Sequence, residues 1–316
     1  MSSIYDSKPL DLSGVRTVRL AGRAGKVSVK DFAERYRPGE GMRGWFKSLP
    51  KILAAQSLGE LVEAIVRARR AVNPILWGLG GHVIKCGLAP VLLDLMERGY
   101  VTGLAMNGSA AIHDIEIALC GSTSEEVADL LTDGSFGMAE ETARLLAASA
   151  RAAVRDGIGL GEALGREVAA AKSSCSLLSG AYAAKVPVTV HVAIGTDTPH
   201  MHPCLDAAAL GAATHTDFRL FCELVRGLEG GGVYLNVGSA VVLPEVFLKA
   251  VSVVRNLGHP LGRFYTANLD FLQHYRPTQN VVRRPTAAGG KGWAITGHHE
   301  IMVPLLAALL LESDNQ

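Results

Sequence analysis

The chain has 316 residues, of which 48% are hydrophobic and 19% are charged, with 31 basic and 30 acidic side chains. A net charge of +1 without long runs of either sign argues against nucleic acid or an anionic membrane as a partner. No apolar span of 18 residues occurs and the first residues lack the core of a signal peptide, so a cytoplasmic protein is predicted. Five scattered cysteines without a C-x-x-C pair are expected to be buried thiols in a reducing compartment.

Residues 1–50 mix short polar and apolar pieces and are predicted to form an arm that lies over the protein or a neighbouring copy. Residues 51–316 are predicted to form a single domain. A helix from Ser57 to Arg70, with leucine and isoleucine on one face, leads to a first strand at Ile75 to Trp77. Alanine-rich helices further along favour close packing between subunits, so an oligomer is expected.

Glycine occupies the next two strand-to-helix turns. Gly78, Gly80 and Gly81 precede a helix at about 86–98, and the turn Asn107-Gly108-Ser109 follows a strand at 101–106. Helix N-termini at the carboxyl edge of a parallel sheet suit the phosphates of a nucleotide. Glycine also serves simply to make tight turns, so a structural role stays an equal alternative.

The remaining chain continues the alternation of strands and helices. Helices are predicted within 122–156 and at 160–172, 217–228, 244–256 and 297–312, and strands at 186–192, 233–237, 263–267 and 293–296. Six strands alternating with helices predict an α/β fold with a doubly wound, parallel, Rossmann-like sheet.

Polar side chains are densest between residues 191 and 217. An H-x-H pair, His200 and His202, lies among aspartates and resembles metal-ligand spacing. Two other readings stay open: a loop that binds a polar ligand, and residues that cap the next helix. The loop leaves the carboxyl end of a strand, which favours the ligand-binding interpretation.

Several motifs together resemble the deoxyhypusine synthase family over about residues 50–312. They are GLGGHVIKCGL, NGSAAIHDIEIAL, the pair Thr196-Asp197, GGGVYLN, and Val303-Pro304-Leu305-Leu306. The resemblance implies a Rossmann-like homotetramer with NAD at the carboxyl edge, between paired subunits. It also implies oxidation of a polyamine and transfer of its aminobutyl group through a lysine imine.

The chain departs from the family at three positions. Leu235 stands where the family has its catalytic lysine, and leucine cannot form an imine. His113 and His298 stand where the family has a glutamate and an aspartate. Replacement of carboxylates by imidazoles at His113, His200 and His202 predicts a substrate less cationic than spermidine.

The leading hypothesis is an NAD-dependent enzyme that performs redox or aminoalkyl-transfer chemistry on a small amine. Alternatives are a non-catalytic NAD-binding or scaffold protein, and a metal-dependent lyase or hydrolase using His200 and His202. Catalytic roles are predicted for His113, Asp197, His200 and Asn236. Cofactor contacts are predicted for Gly78, Gly80, Gly81, His82, Asn107, Gly108, Ser109, Thr266 and Gly297, and substrate contacts for Asp114, Thr196, His202 and His298.

Overall fold

A single six-stranded sheet organises the computed structural model, which describes residues 4–314. Residues 1–3 of the predicted arm and 315–316 of the predicted domain lie outside the described part. All five strand pairs are parallel, in the order β3-β2-β1-β4-β5-β6. This is the order of a doubly wound nucleotide-binding sheet, and it confirms the predicted Rossmann-like fold. The strands are β1 (Ile75–Leu79), β2 (Gly103–Asn107), β3 (Val188–His191), β4 (Val233–Val237), β5 (Tyr265–Asp270) and β6 (Lys291–Thr296).

Thirteen α-helical segments connect and cover the strands within residues 4–314. The first seven are α1 (Gly41–Ser48), α2 (Leu53–Arg70), α3 (Gly81–Lys85), α4 (Ala89–Glu97), α5 (Gly108–Cys120), α6 (Val127–Leu130) and α7 (Glu140–Asp156). The others are α8 (Leu160–Val168), α9 (Leu177–Ala184), α10 (Ala207–Arg226), α11 (Val242–Asn256), α12 (Tyr275–Pro277) and α13 (His299–Asp314).

The core lies on both faces of the sheet. Trp77 and Leu79 belong to one hydrophobic cluster, and Leu76 and Tyr234 belong to another. Successive side chains of a strand point to opposite faces, so the two clusters cover opposite faces of the sheet. This explains why β1 and β4 are buried along their whole length and read as continuous apolar runs.

Glycine and capping residues move several predicted helix boundaries. The helix predicted at 86–98 begins at Ala89, because Gly87 adopts φ +72°, and the short helix α3 precedes it in the predicted glycine turn. Gly137, with φ +76°, delays the start of the alanine-rich helix α7. The helix predicted from Asp217 begins ten residues earlier, where Asp206 accepts a hydrogen bond from Ala209 N (2.9 Å). Most of the second half of the predicted polar loop is therefore helical.

Side chains of α10 bind the outer backbone of β3, the edge strand. Val190 N donates to Asp217 Oδ2 (2.8 Å), and Val190 O accepts from Thr214 Oγ1 (2.7 Å). Val192 N donates to Thr214 Oγ1 (3.3 Å). Asp217 also accepts from Gly161 N (2.8 Å), so one carboxylate joins β3, α8 and α10. Burial raises the pKa of Asp217 to about 7.

The arm exposes many of its apolar side chains. Ile4, Leu10 and Val18 are 90%, 86% and 82% exposed. The expectation of buried cysteines is wrong for four of the five, since only Cys222 is buried. Within the described residues, no helix is both long and apolar enough to cross a membrane.

Candidate functional site

A cavity of about 240 Å³ lies beyond the carboxyl ends of β2 and β3. Four residues predicted for the site, Ser109, His113, Thr196 and Asp197, line this cavity. The first two come from α5, which follows β2, and the last two from the loop after β3. The rest of the lining is Lys85, Ile112, Glu116, Ser124, Glu125, Val127, Phe136 and Thr198.

Two larger cavities lie near the opposite edge of the sheet. One, of about 370 Å³, is largely apolar and is lined by Val186 to Val188 at the start of β3. The other, of about 740 Å³, is lined by Pro74 and Thr102, which precede β1 and β2. Ligands of open parallel sheets bind beyond the carboxyl ends of the strands, so the smaller cavity is the better candidate despite its size.

His113 is held by Thr123 and Glu116. Residues three apart on a helix share a face, which brings His113 and Glu116 of α5 together. Thr123 Oγ1 has one hydrogen, which it donates to Glu116 Oε2, so it accepts from His113 Nδ1 at 2.6 Å. Neutral His113 therefore keeps Nε2 as a proton acceptor. Burial would raise the pKa of Glu116, but the nearby His113 and the hydrogen bond from Thr123 outweigh it and lower the pKa.

Asp197 is packed against the turn after β2. A Cβ atom on Gly108 would lie 1.9 Å from Asp197 Oδ2, so only glycine allows this approach. Burial raises the pKa of Asp197, and the neighbouring His200 and His113 only partly offset it. Thr196 lines the cavity as well, but its hydroxyl donates to Ala193 O (2.7 Å).

His200 has one nitrogen engaged and one unpartnered. Its Nδ1 accepts from Gly195 N (3.1 Å) and Asp197 N (3.3 Å), so the neutral ring carries its hydrogen on Nε2. Nε2 is buried without a hydrogen-bond partner, and the side chain is only 3% exposed. Asp197 Oδ2 lies 4.0 Å from Nε2, too far for a direct hydrogen bond.

The cavity carries an excess of carboxylates. Glu116, Glu125 and Asp197 line it against one lysine, Lys85, which gives three negative side chains and one positive. Glu125 accepts from Gly137 N (2.7 Å). These carboxylates lie beside the histidine that was predicted for the site, and the expectation of a substrate less cationic than spermidine stays a prediction.

Two predicted residues have structural roles instead. Asp114 is fully buried, and its carboxylate accepts from Ser176 Oγ (2.7 Å), Leu177 N (2.8 Å) and Leu178 N (3.0 Å). It binds the start of α9 and is not among the residues that line the cavity beside His113. His202 Nε2 lies 2.9 Å from Gly137 O and donates to it, so it joins the loop to the segment before α7.

Asn236, predicted to be catalytic, is fully buried in a chain of amides. Its Nδ2 donates to Ser239 O (2.9 Å) and Asn268 Oδ1 (2.7 Å), and Asn268 Nδ2 donates to Gln273 Oε1 (2.8 Å). Asn236 Oδ1 has no partner. These bonds join the carboxyl ends of β4 and β5, and they place Asn236 outside the cavity.

Residues predicted near β5 and the last helix also lie elsewhere. Thr266 is buried and donates to Val281 O (2.8 Å). His298 stacks on Phe271 with ring centroids 6.1 Å apart. A Cβ on Gly297 would lie 2.5 Å from the Met302 side chain. None of the three lines the cavity beside His113.

The metal alternative finds no support in the part of the chain that the structure describes. Over residues 4–314, no three or more histidine, cysteine, aspartate or glutamate side chains are arranged to hold a metal ion. The H-x-H spacing misled because His200 is bound to its own loop and His202 to Gly137.

The glycine turn after β1 does not fit the pyrophosphate of NAD. A Cβ on Gly78 would lie 2.4 Å from Tyr234 Oη, one on Gly80 1.9 Å from Gly238 O, and one on Gly81 2.2 Å from Ser109 Oγ. In a pyrophosphate-binding turn one glycine leaves room for the ligand, whereas here the protein itself fills each space. The structural reading of this turn is therefore the better one.

The polar side chains beside these turns are also held by other parts of the protein. Asn107 Oδ1 caps α5 by accepting from Ala110 N (2.9 Å), and the carboxylate at the end of β2 is that of Asp197, which packs against Gly108. His82 Nδ1 lies 2.9 Å from His299 Nδ1, and His299 Nε2 donates to Leu269 O (3.2 Å). His82 is thus tied to the start of α13.

No protein-family model and no curated protein matches the sequence. The structure is similar to a conserved protein described as LOR/SDH from Methanococcus maripaludis S2 (TM-score 0.53, 13% identity, covering 84% of this chain and 71% of that one). It is also similar to AgrE in complex with ornithine and NAD⁺ (TM-score 0.51, 15% identity, 84% and 34%). A protein described as deoxyhypusine synthase from Entamoeba histolytica matches with a TM-score of 0.48 and 10% identity over 89% and 96%. The chain spans about a third of the length of AgrE. At these identities the similarity establishes the Rossmann-like fold.

Three charged residues of the cavity, Lys85, Glu116 and Glu125, were missed from the sequence. The i,i+3 spacing of Glu116 from His113 was an available signal. Lys85 belongs to the same turn and helix as the predicted glycines. Glu125 enters from the segment between α5 and α6, and nothing in its sequence neighbourhood indicates this position.

Proposed function

We propose that this protein is an enzyme that binds a small amine in the cavity beyond β2 and β3. The observation that carries the proposal is the convergence of three carboxylates, Glu116, Glu125 and Asp197, on one concave site with His113. A cationic amine loses part of its hydration on entering a cavity, and several carboxylate oxygens compensate for that loss.

His113 supplies the acid–base group of the proposal. Its Nδ1–H is held by Thr123, and Glu116 lies 3.6 Å away, which stabilises the imidazolium formed when Nε2 takes a proton. Proton transfer to or from an amine, or from the carbon beside it, is the chemistry that such a group supports.

NAD-dependent redox or aminoalkyl transfer is the finer form of this proposal. The Rossmann-like fold supports it, as do the ligands named for AgrE, ornithine and NAD⁺. The filled glycine turn opposes it, because no predicted glycine offers open backbone to a pyrophosphate. Thermal unfolding with millimolar NAD tests this separately, since a ligand at 100 times its Kd adds about 2.7 kcal/mol of stability.

The same proposal includes self-association of the chain into a homo-oligomer. The family resemblance implies that this oligomer is a tetramer. The apolar side chains of the arm support it, because contiguous exposed apolar surface commonly marks an interaction site. Light scattering on the full chain and on a chain lacking residues 1–36 measures the state. A monomer in both cases removes the proposed assembly.

Calorimetric titration with 1,4-diaminobutane and spermidine tests amine binding. The wild type is expected to bind at least one of them, and not the uncharged 1,4-butanediol. Asp197→Asn is expected to weaken binding about tenfold to a hundredfold, because a hydrogen bond to a charged group contributes about 1.5–3 kcal/mol. Glu63→Gln is the matched control, since Glu63 is an exposed carboxylate on α2. Equal affinity in all variants would remove the cavity from the proposal.

A further inference from the structure

Among the described residues that line the cavity, Lys85 is the only lysine or arginine. It comes from α3, while the three carboxylates come from α5, from the segment after α5 and from the loop after β3. The structure gives Lys85 no ion pair or hydrogen bond within residues 4–314. By contrast, Lys249 pairs with Glu245, and Lys291 pairs with Glu60 (2.7 Å).

The carboxylates of the cavity differ in how far they are engaged. Glu116 accepts from Thr123, and Glu125 accepts from Gly137 N. Asp197 lies near His113 and near His200, whose Nε2 is a buried donor without a partner 4.0 Å away. An ammonium group has only donors, so it would bind the Asp197 carboxylate, while the buried His200 Nε2–H needs an acceptor. Asp197 is therefore the strongest anchor for an ammonium group.

We propose that the amine bound here is a zwitterion, an amino acid whose ammonium group binds at Asp197 and whose carboxylate binds at Lys85. This inference rests on the proposed amine site and names its substrate class. A ligand with both charges can bind Asp197 and Lys85 at once, whereas a diamine can bind only the carboxylates and leaves Lys85 without a partner. Both groups line one cavity of about 240 Å³, which holds a single small molecule.

The test compares each amino acid with the amine that lacks its carboxylate. L-ornithine is titrated against 1,4-diaminobutane, L-lysine against 1,5-diaminopentane, and 4-aminobutanoate against 1-aminopropane. The wild type is expected to bind the amino acid of at least one pair about fivefold more tightly, the modest ratio expected for an ion pair with an exposed lysine. Lys85→Gln is expected to abolish that preference, and Lys85→Arg is expected to keep it, because charge is the property required.

The outcomes separate this inference from the proposed function. If amines bind, Asp197→Asn weakens them, and no pair prefers the amino acid, the zwitterion inference is overturned while the amine site stands. A preference that survives in Lys85→Gln overturns the inference as well. If no member of any pair binds, both the proposed amine site and the zwitterion inference are overturned. Lys30→Gln, an exposed lysine of the arm, is the control for loss of one positive charge.

Discussion

Two regions of the sheet carry glycine and polar residues that suggested a ligand site in the sequence: the turn after β1, and the edge beyond β2 and β3. The first region is closed by backbone contacts, whereas the second borders a cavity. At the first, Gly80 lies against the carbonyl of Gly238, and the turns after β1 and β4 close on each other. At the second, α5 and the loop after β3 leave a cavity with His113 between carboxylates. The protein fills the space above Gly80 and above Gly108 alike, so the two regions differ in the cavity between α5 and the loop after β3 and not in their glycines.

The largest expected effect tests whether the turn after β1 is closed. Gly80→Ala places a Cβ 1.9 Å from the Gly238 carbonyl oxygen, and backbone on both sides prevents relief. We expect a loss of more than about 4 kcal/mol in the free energy of unfolding, measured with urea. Gly211→Ala on α10 is the control, since its Cβ meets nothing within 4 Å and alanine favours a helix by about 1 kcal/mol. An unchanged stability in Gly80→Ala would mean that the turn has room for a pyrophosphate.

Asp114→Ala distinguishes a structural carboxylate from a substrate-binding one. Three buried donors at the start of α9 would lose their acceptor, which costs about 3 kcal/mol or more. Amine affinity in the folded fraction should be unchanged. A stable variant that no longer binds amines would return Asp114 to the site as predicted from the sequence.

Asp217 predicts an unusual dependence of stability on pH. Its pKa is about 7 in the folded protein and 3.8 ordinarily, so the folded state holds a proton that the unfolded state releases between these values. The protonated Asp217 therefore contributes its full stabilisation below about pH 4. This contribution, on the order of 2–4 kcal/mol in the free energy of unfolding, is lost as the pH rises through 7. Asp217→Asn should flatten this part of the profile. The same downward slope in the variant would assign the effect to another group.

Amine binding should show the opposite pH dependence, with a smaller amplitude. Because burial raises the pKa of Asp197, this carboxylate becomes neutral at a higher pH than an ordinary aspartate. Affinity for 1,4-diaminobutane, which stays cationic, should fall as the pH decreases through that raised pKa, by about tenfold. Titrations from pH 4 to pH 8 measure it. In Asp197→Asn, affinity should be low and nearly independent of pH above the range in which Glu116 titrates.

Much of the fold could be predicted from the sequence, because six apolar runs bounded by glycine and polar residues specify six strands. The site was predicted in part. Ser109, His113, Thr196 and Asp197 were placed correctly at one edge, since the carboxyl ends of neighbouring parallel strands meet there. Asn236 and Asp114 were predicted at the same site but lie elsewhere. The sequence gives the residue type and its position along an element, but it does not show which side chains pack against one another. Asp206 illustrates the same limit, as its capping role moved the start of α10 and turned Asp217 inward.

The bonds from Thr214 and Asp217 to β3 have a consequence for how copies of the chain associate. An exposed strand at the end of a sheet is a template onto which another chain adds its own strand, and uncontrolled growth of this kind produces aggregates. Here the outward N–H and C=O of Val190 are already bound by α10. Strand addition at β3 would first require α10 to detach. In the proposed assembly, copies would therefore associate through helices, the arm or the far edge at β6 and not by strand addition at β3.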